Sequence, residues 1–232
     1  GPIDANGVVP HTANLGWGYK EVKKELENLT GWQVVVGNDA NVAALGEMWK
    51  GAGHGEKNMV MVTLGTGVGG GVIMGGRPLI GANGAGGEIG HICVNYFEEK
   101  CCGCGKKGCL EQYASATGIA RIAREHLAAD KKDAKIVFDA LKEGDQLAVD
   151  VVEEFGEYLA KGLADVAVVV DPSLFVIGGG VSKAGEILLT YIEKYYRKRA
   201  FFANKDTQFA IASLGNDAGI CGAAKLILDS QV

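Results

Sequence analysis

The chain has 232 residues, of which 47% are hydrophobic and 22% charged, as is typical of a globular protein with a substantial core. Its net charge of -5 and the absence of a long basic run argue against nucleic acid or an anionic membrane as its main partner. No stretch is apolar enough to span a bilayer, and no basic-then-apolar leader opens the sequence, so we expect a cytoplasmic protein.

Short apolar runs alternate with glycine loops and helical patterns in the first half of the chain. The predicted elements are a helix over 19–29, a buried strand over 34–36, a helix from Asn38-Asp39 to about Lys50, and strands at 59–64 and 71–74. Glycine accounts for 36 residues and clusters at 65–71, 81–90 and 178–180, which indicates tight loops rather than disorder.

Helical periodicity dominates the second half. The predicted elements are helices at 113–128, 134–142 and 147–168, a strand at 174–177, a helix at 183–197, a strand at 209–211 and a helix from Asn216 to about Leu228. Pro172 is expected to end the helix that precedes it. This order of strands, glycine loops and helices indicates the α/β class.

A cysteine cluster is the most specific feature of the sequence. Five of the six cysteines fall within residues 93–109, and Cys102, Cys104 and Cys109 follow His91 on a glycine-rich segment. Three thiols and an imidazole form a closed tetrahedral ligand set for zinc, and Cys101 could replace Cys102. With all four positions filled by protein, the zinc is expected to be structural rather than hydrolytic. The alternative is a set of surface thiols on a glycine loop.

Asp39 stands where a strand is predicted to give way to a helix. A carboxylate there is often a plain helix cap. It can also act as a general base toward a substrate hydroxyl, since open α/β sheets bind ligands at the carboxyl ends of their strands. The helix N-terminus would keep such a carboxylate ionised.

Two further glycine segments are candidate nucleotide sites. Leu64 to Gly71 contains Gly65, Thr66, Gly67 and Gly69, whose amides and hydroxyl could cradle a phosphate, although a glycine hairpin between strands explains the pattern equally well. The segment fits neither a Walker A loop nor the dinucleotide fingerprint. Gly178, Gly179 and Gly180 follow an apolar strand, and they suit either a nucleotide surface or close packing of the strand and helix.

Taken together, these motifs resemble the ROK family of bacterial sugar kinases and sugar-responsive repressors. The resemblance rests on Gly87-Glu88-Ile89-Gly90-His91 with the cysteine motif ending at Glu111, on Asn38-Asp39-Ala40-Asn41, on the 64–71 loop and on residues 177–181. It implies an actin/hexokinase-type (ribonuclease H-like) ATPase fold with a structural zinc loop. The pattern is most similar to ATP-dependent glucokinases.

The resemblance also assigns roles. Asp39 would activate the 6-hydroxyl of glucose, while the other sugar contacts would come from Asn14, Asn38, Glu88, His91 and Glu111. His91 would bind zinc through one ring nitrogen and face the sugar with the other. ATP with magnesium would supply the phosphoryl group. Alternative substrates are N-acetylmannosamine, allose, mannose and fructose, and alternative functions are the sugar-sensing domain of a repressor and a zinc-stabilised scaffold without a ligand.

One family feature is not found in the 232 residues. Kinases of the family begin with an acidic phosphate loop of the form Asp-x-Gly-Gly-Thr in a small N-terminal domain, and this sequence has none. We therefore expect residues 1–232 to be the large C-terminal domain, with little kinase activity of its own. By analogy with the family, a homo-oligomer such as a dimer is expected, with residues 147–168 and the zinc loop as a possible contact face.

Overall fold

The structure is a computed structural model, and it describes residues 2–4, 6–10, 16–126 and 133–230. The helices of these residues are α1 (Val22–Thr30), α2 (Asp39–Lys50), α3 (Glu111–Ala114), α4 (Ala116–His126), α5 (Ala134–Lys142), α6 (Gln146–Val170), α7 (Glu186–Arg199) and α8 (Asp217–Asp229). The strands are β1 (Met59–Leu64), β2 (Val68–Met74), β3 (Arg77–Pro78), β4 (Leu174–Gly178) and β5 (Gln208–Ile211).

The strands form one mixed sheet with the order β3-β2-β1-β4-β5. β2 and β3 are antiparallel, whereas β4 and β5 are parallel, with Phe175 opposite Phe209. A parallel pair needs a long crossover, and α7 supplies it between β4 and β5. The α/β class predicted from the sequence is therefore confirmed. None of the helices among the described residues is both long and apolar enough to cross a membrane.

Contacts divide the chain into two compact units. The first comprises Gly1–Met61, Gly70–Glu88 and Ser213–Val232, and the second comprises Val62–Gly69 and Ile89–Ala212. Strands β1 and β2 contribute residues to both. The prediction of a single large domain over residues 1–232 stays a prediction.

In the first unit, α2 and α8 approach closely enough that glycine is required at the contact. A Cβ on Gly46 would lie 2.0 Å from the Ala218 carbonyl oxygen, and one on Gly222 would lie 1.7 Å from the Val42 carbonyl oxygen. Real side chains do not tolerate such distances, so these glycines allow the two backbones to touch. This contact fixes the direction of α2, at whose N-terminus Asp39 lies.

In the second unit, α6 forms the centre of the core. Val151, Phe155, Leu159 and Leu163 recur at helical spacing and are fully buried. Asp145 caps the helix by accepting hydrogen bonds from the amides of residues 147 and 148, and Pro172 follows its end as the sequence predicts.

Two predicted elements differ from the structure. Residues 34–36 do not form a strand, because the Val34 amide donates to the Glu27 carboxylate instead of to a neighbouring strand. The helix predicted over 113–128 begins at Glu111 and is interrupted at Ser115, whose hydroxyl accepts from the Gly118 amide and starts α4 as a new helix. Residues 127–132 lie outside the described residues. Strand β3 is too short to show a sequence pattern.

Candidate functional site

The cysteine loop is shaped by tight backbone turns. Gly105 and Gly108 have φ values of 85° and 74°, in the left-handed region that favours glycine. The Cys102 amide donates to the Lys106 carbonyl at 2.7 Å, and the Gly105 amide donates to the Cys102 carbonyl at 2.9 Å. These bonds turn the chain back so that the thiols of neighbouring turns point to the same place.

Four ligand atoms converge there. His91, Cys102, Cys104 and Cys109 each offer one atom, and all four atoms lie within 4.8 Å of one another. Cys104 Sγ lies 3.6 Å from Cys109 Sγ, and Cys102 Sγ lies 3.9 Å from His91 Nδ1. A tetrahedral site with zinc–sulfur bonds of about 2.3 Å has sulfur atoms about 3.8 Å apart. The donor set and its spacing therefore fit one four-coordinate zinc ion, and Cys102 rather than Cys101 belongs to it.

The surroundings of the thiols differ within this set. Burial raises the pKa of Cys109 to about 12, with further contributions from the Cys104 and Cys102 thiols, and burial also raises the pKa of Cys102. Burial has the same effect on Cys104, but hydrogen bonds led by that of the Lys106 amide outweigh it and lower the pKa. A metal ion that binds here must displace the protons of its thiol ligands, and the raised pKa values of Cys102 and Cys109 oppose this most.

The segment after the last cysteine anchors the ligand loop in the core. Leu110 is fully buried, and a Cβ on Gly162 of α6 would lie 2.7 Å from its Cδ2 atom. Glu111 begins α3, and its Oε2 atom accepts a hydrogen bond from the Val68 amide at 3.1 Å. The carboxylate predicted to bind sugar therefore already holds the end of the 65–68 loop.

The glycine loop at 65–67 connects β1 and β2, which are neighbours in the sheet. The hairpin that the sequence allowed is therefore present. Its other contacts come from α4, since the Ala116 amide donates to the Gly65 carbonyl at 2.8 Å and Thr117 Oγ1 donates to the Thr66 carbonyl at 3.0 Å. Sequence reasoning missed Thr117, because nothing local connects it to a loop 51 residues away.

In the second glycine segment, Gly178–Gly180, Gly179 is closely packed and Gly180 is open to a cavity. Gly179 has a φ of 85°, and a Cβ on it would lie 2.5 Å from the Leu64 carbonyl oxygen, which is the close packing anticipated from the sequence. Gly180 faces open space and lines a cavity of about 270 Å³. Other residues lining this cavity are Ala116, Lys135, Phe138, Val181 and Lys183.

Asp39 is the first residue of α2, and its side chain is exposed. Asn38, rather than Asp39, is the N-cap, and its Oδ1 atom accepts from the amides of Ala40 and Asn41 at 2.9 and 3.2 Å. The capping role that the sequence allowed for Asp39 thus falls to Asn38. The Asp39 Oδ1 atom accepts a hydrogen bond from the Ala40 amide at 3.0 Å, and the residue is exposed.

The remaining predicted residues fall in different places. Glu88 is exposed in the first unit, after Gly87, whose φ is 89°. Asn14 lies outside the described residues. Asn41 was not singled out from the sequence, yet it is only 5% exposed, and its Oδ1 atom has no hydrogen-bond partner among the described residues.

The order and packing of the strands and helices define an α/β fold of the actin/hexokinase type, which its structural neighbours share. The ROK family model matches residues 1–230. The chain therefore belongs to the ROK family.

Similarity to individual proteins extends over nearly the whole chain. A glucokinase of Halalkalibacterium halodurans is 47% identical over an alignment that covers 97% of this chain and 72% of that protein. An N-acetylmannosamine kinase of Escherichia fergusonii is 37% identical over 203 residues, which cover 88% of this chain and 67% of that protein. The crystal structure of a ROK family glucokinase from Streptomyces griseus in complex with glucose and AMPPNP has a TM-score of 0.85 and 38% identity, covering 97% of this chain and 78% of that one.

Proposed function

We propose that the chain belongs to a kinase that transfers the γ-phosphoryl group of ATP to the 6-hydroxyl of glucose. The observation that carries this proposal is the exposed Asp39 carboxylate at the start of α2, relieved of the capping role by Asn38. The 47% identity to a glucokinase and the likeness to a glucokinase bound to glucose and AMPPNP support it. The carboxylate would take the proton of the attacking hydroxyl, which is general base catalysis.

The sugar contacts are proposed to come from the residues to which the family resemblance assigns them, namely Asn38, Asp39, Glu88, His91 and Glu111. Carboxylates suit this task because each oxygen accepts hydrogen bonds from sugar hydroxyls in defined directions. With His91 Nδ1 toward Cys102, Nε2 is the ring nitrogen left for a hydroxyl.

The nucleotide is proposed to use the glycine segments of the second unit. Amides of Gly65 and Gly67 in the loop and of Gly69 near the start of β2, with the Thr66 hydroxyl, would approach the phosphates. The cavity beside Gly180 would take the adenosine, since Phe138 offers an apolar surface for the base. Lys135, which also lines the cavity, forms an ion pair with Asp139 at 2.9 Å. Magnesium would accompany ATP and help to neutralise charge that develops during transfer.

The metal cluster is proposed to hold zinc in a structural role. His91, Cys102, Cys104 and Cys109 would occupy all four coordination positions, so the ion would brace the loop without taking part in the reaction. Reduced thiols of this kind suit a reducing compartment such as the cytosol.

The test separates binding from turnover, since the Asp-x-Gly-Gly-Thr loop of such kinases is not among these residues and we expect slow turnover of the chain. Glucose binding is measured by calorimetry, and phosphorylation by a coupled assay with ATP. Asp39→Asn should keep the glucose affinity within a few-fold and reduce kcat by roughly 10²–10⁴-fold.

Asp217→Asn is the matched control, because Asp217 is also the exposed first residue of a helix, α8. Equal turnover by the two variants would refute the role of Asp39 as the base.

A second candidate substrate is N-acetylmannosamine, which the 37% identical N-acetylmannosamine kinase favours. A panel of glucose, N-acetylmannosamine, allose, mannose and fructose, compared by kcat/KM, distinguishes the two. A preference for the N-acetylated sugar would overturn the choice of glucose. Sugar binding without any turnover, in a form that also binds DNA, would support the repressor alternative instead.

A further inference from the structure

The backbone of Val68 lies between two segments that carry metal ligands. Its amide donates to Glu111 Oε2 at 3.1 Å, two residues beyond Cys109. On its other side, a Cβ on Gly90 would lie 2.2 Å from the Val68 carbonyl oxygen, and Gly90 directly precedes His91. Val68 is 6% exposed, so water cannot easily replace either contact.

The Glu111 carboxylate also reaches the cluster itself. Its second oxygen, Oε1, lies 3.7 Å from Cys102 Sγ. The Cys102 S–H thus donates to one oxygen of this carboxylate, and the Val68 amide donates to the other. A carboxylate that accepts a backbone amide is a strong acceptor, since its hydrogen bond is charge-assisted.

Gly67 shows how closely the loop fits around this carboxylate. A Cβ on Gly67 would lie 2.1 Å from Glu111 Oε2, so even alanine would force the carboxylate out of its place. The start of the loop is held differently, because the carbonyls of Gly65 and Thr66 accept hydrogen bonds from α4. The donors are the Ala116 amide and the Thr117 hydroxyl. Among the contacts of this loop with the described residues, those of Gly67 and Val68 are the ones that involve the Glu111 carboxylate.

We propose that Glu111 is a positioning residue that transmits occupancy of the metal cluster to the Val68 end of the glycine loop. Metal binding fixes the chain from Cys109 to Glu111, and the carboxylate then holds the Val68 amide in one place. Because Cys102 loses its thiol proton when it binds metal, its hydrogen bond to Oε1 is lost, and the route to Val68 runs through the backbone between Cys109 and Glu111. Because the proposed function assigns this loop to nucleotide phosphates, metal binding and nucleotide binding should each increase the affinity for the other by the same factor.

The first arm of the test needs no nucleotide. Amide hydrogen exchange at single residues is compared between the zinc-loaded and the chelator-treated chain, with Val68 as the reporter and the Ala116 amide as the internal reference. Zinc should slow exchange of Val68 by roughly tenfold and leave Ala116 nearly unchanged. Equal protection of Val68 in both forms would overturn the inference.

Variants separate positioning from general stability. Glu111→Ala should abolish the effect of zinc on Val68, whereas Glu111→Gln retains an acceptor oxygen and should restore part of it. Gly67→Ala should act like Glu111→Ala, because it displaces the same carboxylate without changing a metal ligand. Glu98→Gln is the matched control, since it removes a carboxylate from the same region that bonds to Tyr113 and Arg121 and not to Val68. Loss of the zinc effect in the control as well would reduce Glu111 to a merely structural residue.

The second arm measures ATP affinity in both metal states by calorimetry. The wild-type chain should bind ATP roughly tenfold more tightly with zinc, and Glu111→Ala should bring this ratio close to one. A chain in which zinc protects Val68 but which binds no ATP would contradict the proposed function and leave the coupling in place. ATP binding that is independent of zinc, with Val68 equally protected, would contradict the coupling and leave the function in place.

Discussion

The two units of the chain fix a loop in two different ways. In the first unit, the Glu47 side chain is fully buried and accepts hydrogen bonds from the amides of Ala52, Ser213 and Leu214 at 2.8, 3.2 and 2.8 Å, with the Ser213 hydroxyl at 3.4 Å. In the second unit, His91 and three cysteines bring four ligand atoms within 4.8 Å of one another. The carboxylate bonds to groups of the chain itself, whereas the cysteine set is proposed to bind an added ion.

Because of this difference, we expect the rigidity of one loop, and not of the other, to depend on metal. The bonds of Glu47 form whenever the first unit folds, because the donors are backbone groups of the same unit. The cysteine loop has few apolar residues to hold it, and two of its thiols must lose protons before they bind metal. The loop before α8 should therefore be rigid under all folding conditions, and the cysteine loop should be rigid only with metal.

Of the changes predicted here, metal removal should have the largest effect on the stability of the folded chain. With free zinc at about 1,000 times its dissociation constant, binding stabilises the folded chain by about 4 kcal/mol, which a strong chelator should remove. Cys109→Ser should weaken zinc binding by roughly 100-fold or more, since changes outside the ligand set alone cost about 10–100-fold. Metal content and thermal unfolding with and without chelator measure both effects.

Cys101→Ser is the control for this prediction, because Cys101 is the exposed neighbour of Cys102 and stands outside the ligand set. It should retain one zinc ion per chain and the same melting temperature. A wild-type chain whose melting temperature is the same with and without chelator would show that the protein alone holds both loops. That result would contradict the proposed difference between the two units.

Removal of the Glu47 side chain should lower the free energy of unfolding slightly less than removal of the metal does. Glu47→Ala leaves the amides of Ala52, Ser213 and Leu214 without their acceptor, and we expect a loss of about 3 kcal/mol in the free energy of unfolding. Unlike the loss in Cys109→Ser, this loss should be the same with and without chelator, as measured by urea denaturation. Glu25→Ala is the control, since Glu25 forms an exposed ion pair with Lys20 that contributes at most about 1 kcal/mol. A chelator-dependent effect of Glu47→Ala would contradict the distinction between the two anchors.

The same contrast explains what the sequence could reveal. The metal ligands lie within nineteen positions, counted from His91 to Cys109, and glycines separate the three cysteines. Residue type and spacing alone therefore predicted the set that the structure brings together. The α/β class and the extent of α2, α5 and α6 follow from local periodicity in the same way.

Contacts between distant residues left no such local pattern. Glu47 bonds to residues 166 and 167 positions away, and Thr117 bonds to a loop 51 positions away. Residues 34–36 have the apolar pattern of a strand, but a side-chain acceptor on Glu27 takes the Val34 amide. Pairing of this kind depends on the folded chain, so neither propensity nor spacing could indicate it.

The smallest effect concerns Glu98, which bonds to Tyr113 at 2.6 Å and pairs with Arg121 at 3.3 Å. Burial raises the pKa of Glu98, but the hydrogen bonds from Tyr113 and the Lys100 amide, with the Arg121 charge, outweigh it and lower the pKa below its usual 4.5. A lowered carboxylate pKa stabilises the folded state above the unfolded pKa, and this contribution disappears as the pH falls through the folded value. The free energy of unfolding of Glu98→Gln should therefore be about 1 kcal/mol lower than that of the wild type at pH 7.

The loss in Glu98→Gln should hold from pH 6 to 8 and shrink below about pH 4.5. Urea denaturation at each pH measures it, with Glu99→Gln as the control, because Glu99 is the exposed neighbour. The pH series should be run on the zinc-loaded chain only down to the pH at which metal content falls, since protons compete for the thiols. A difference between Glu98→Gln and wild type that stays constant down to pH 4 would mean that the bonds to Glu98 do not depend on its charge. The segment between His91 and Cys102 would then be held by neutral contacts and the metal alone.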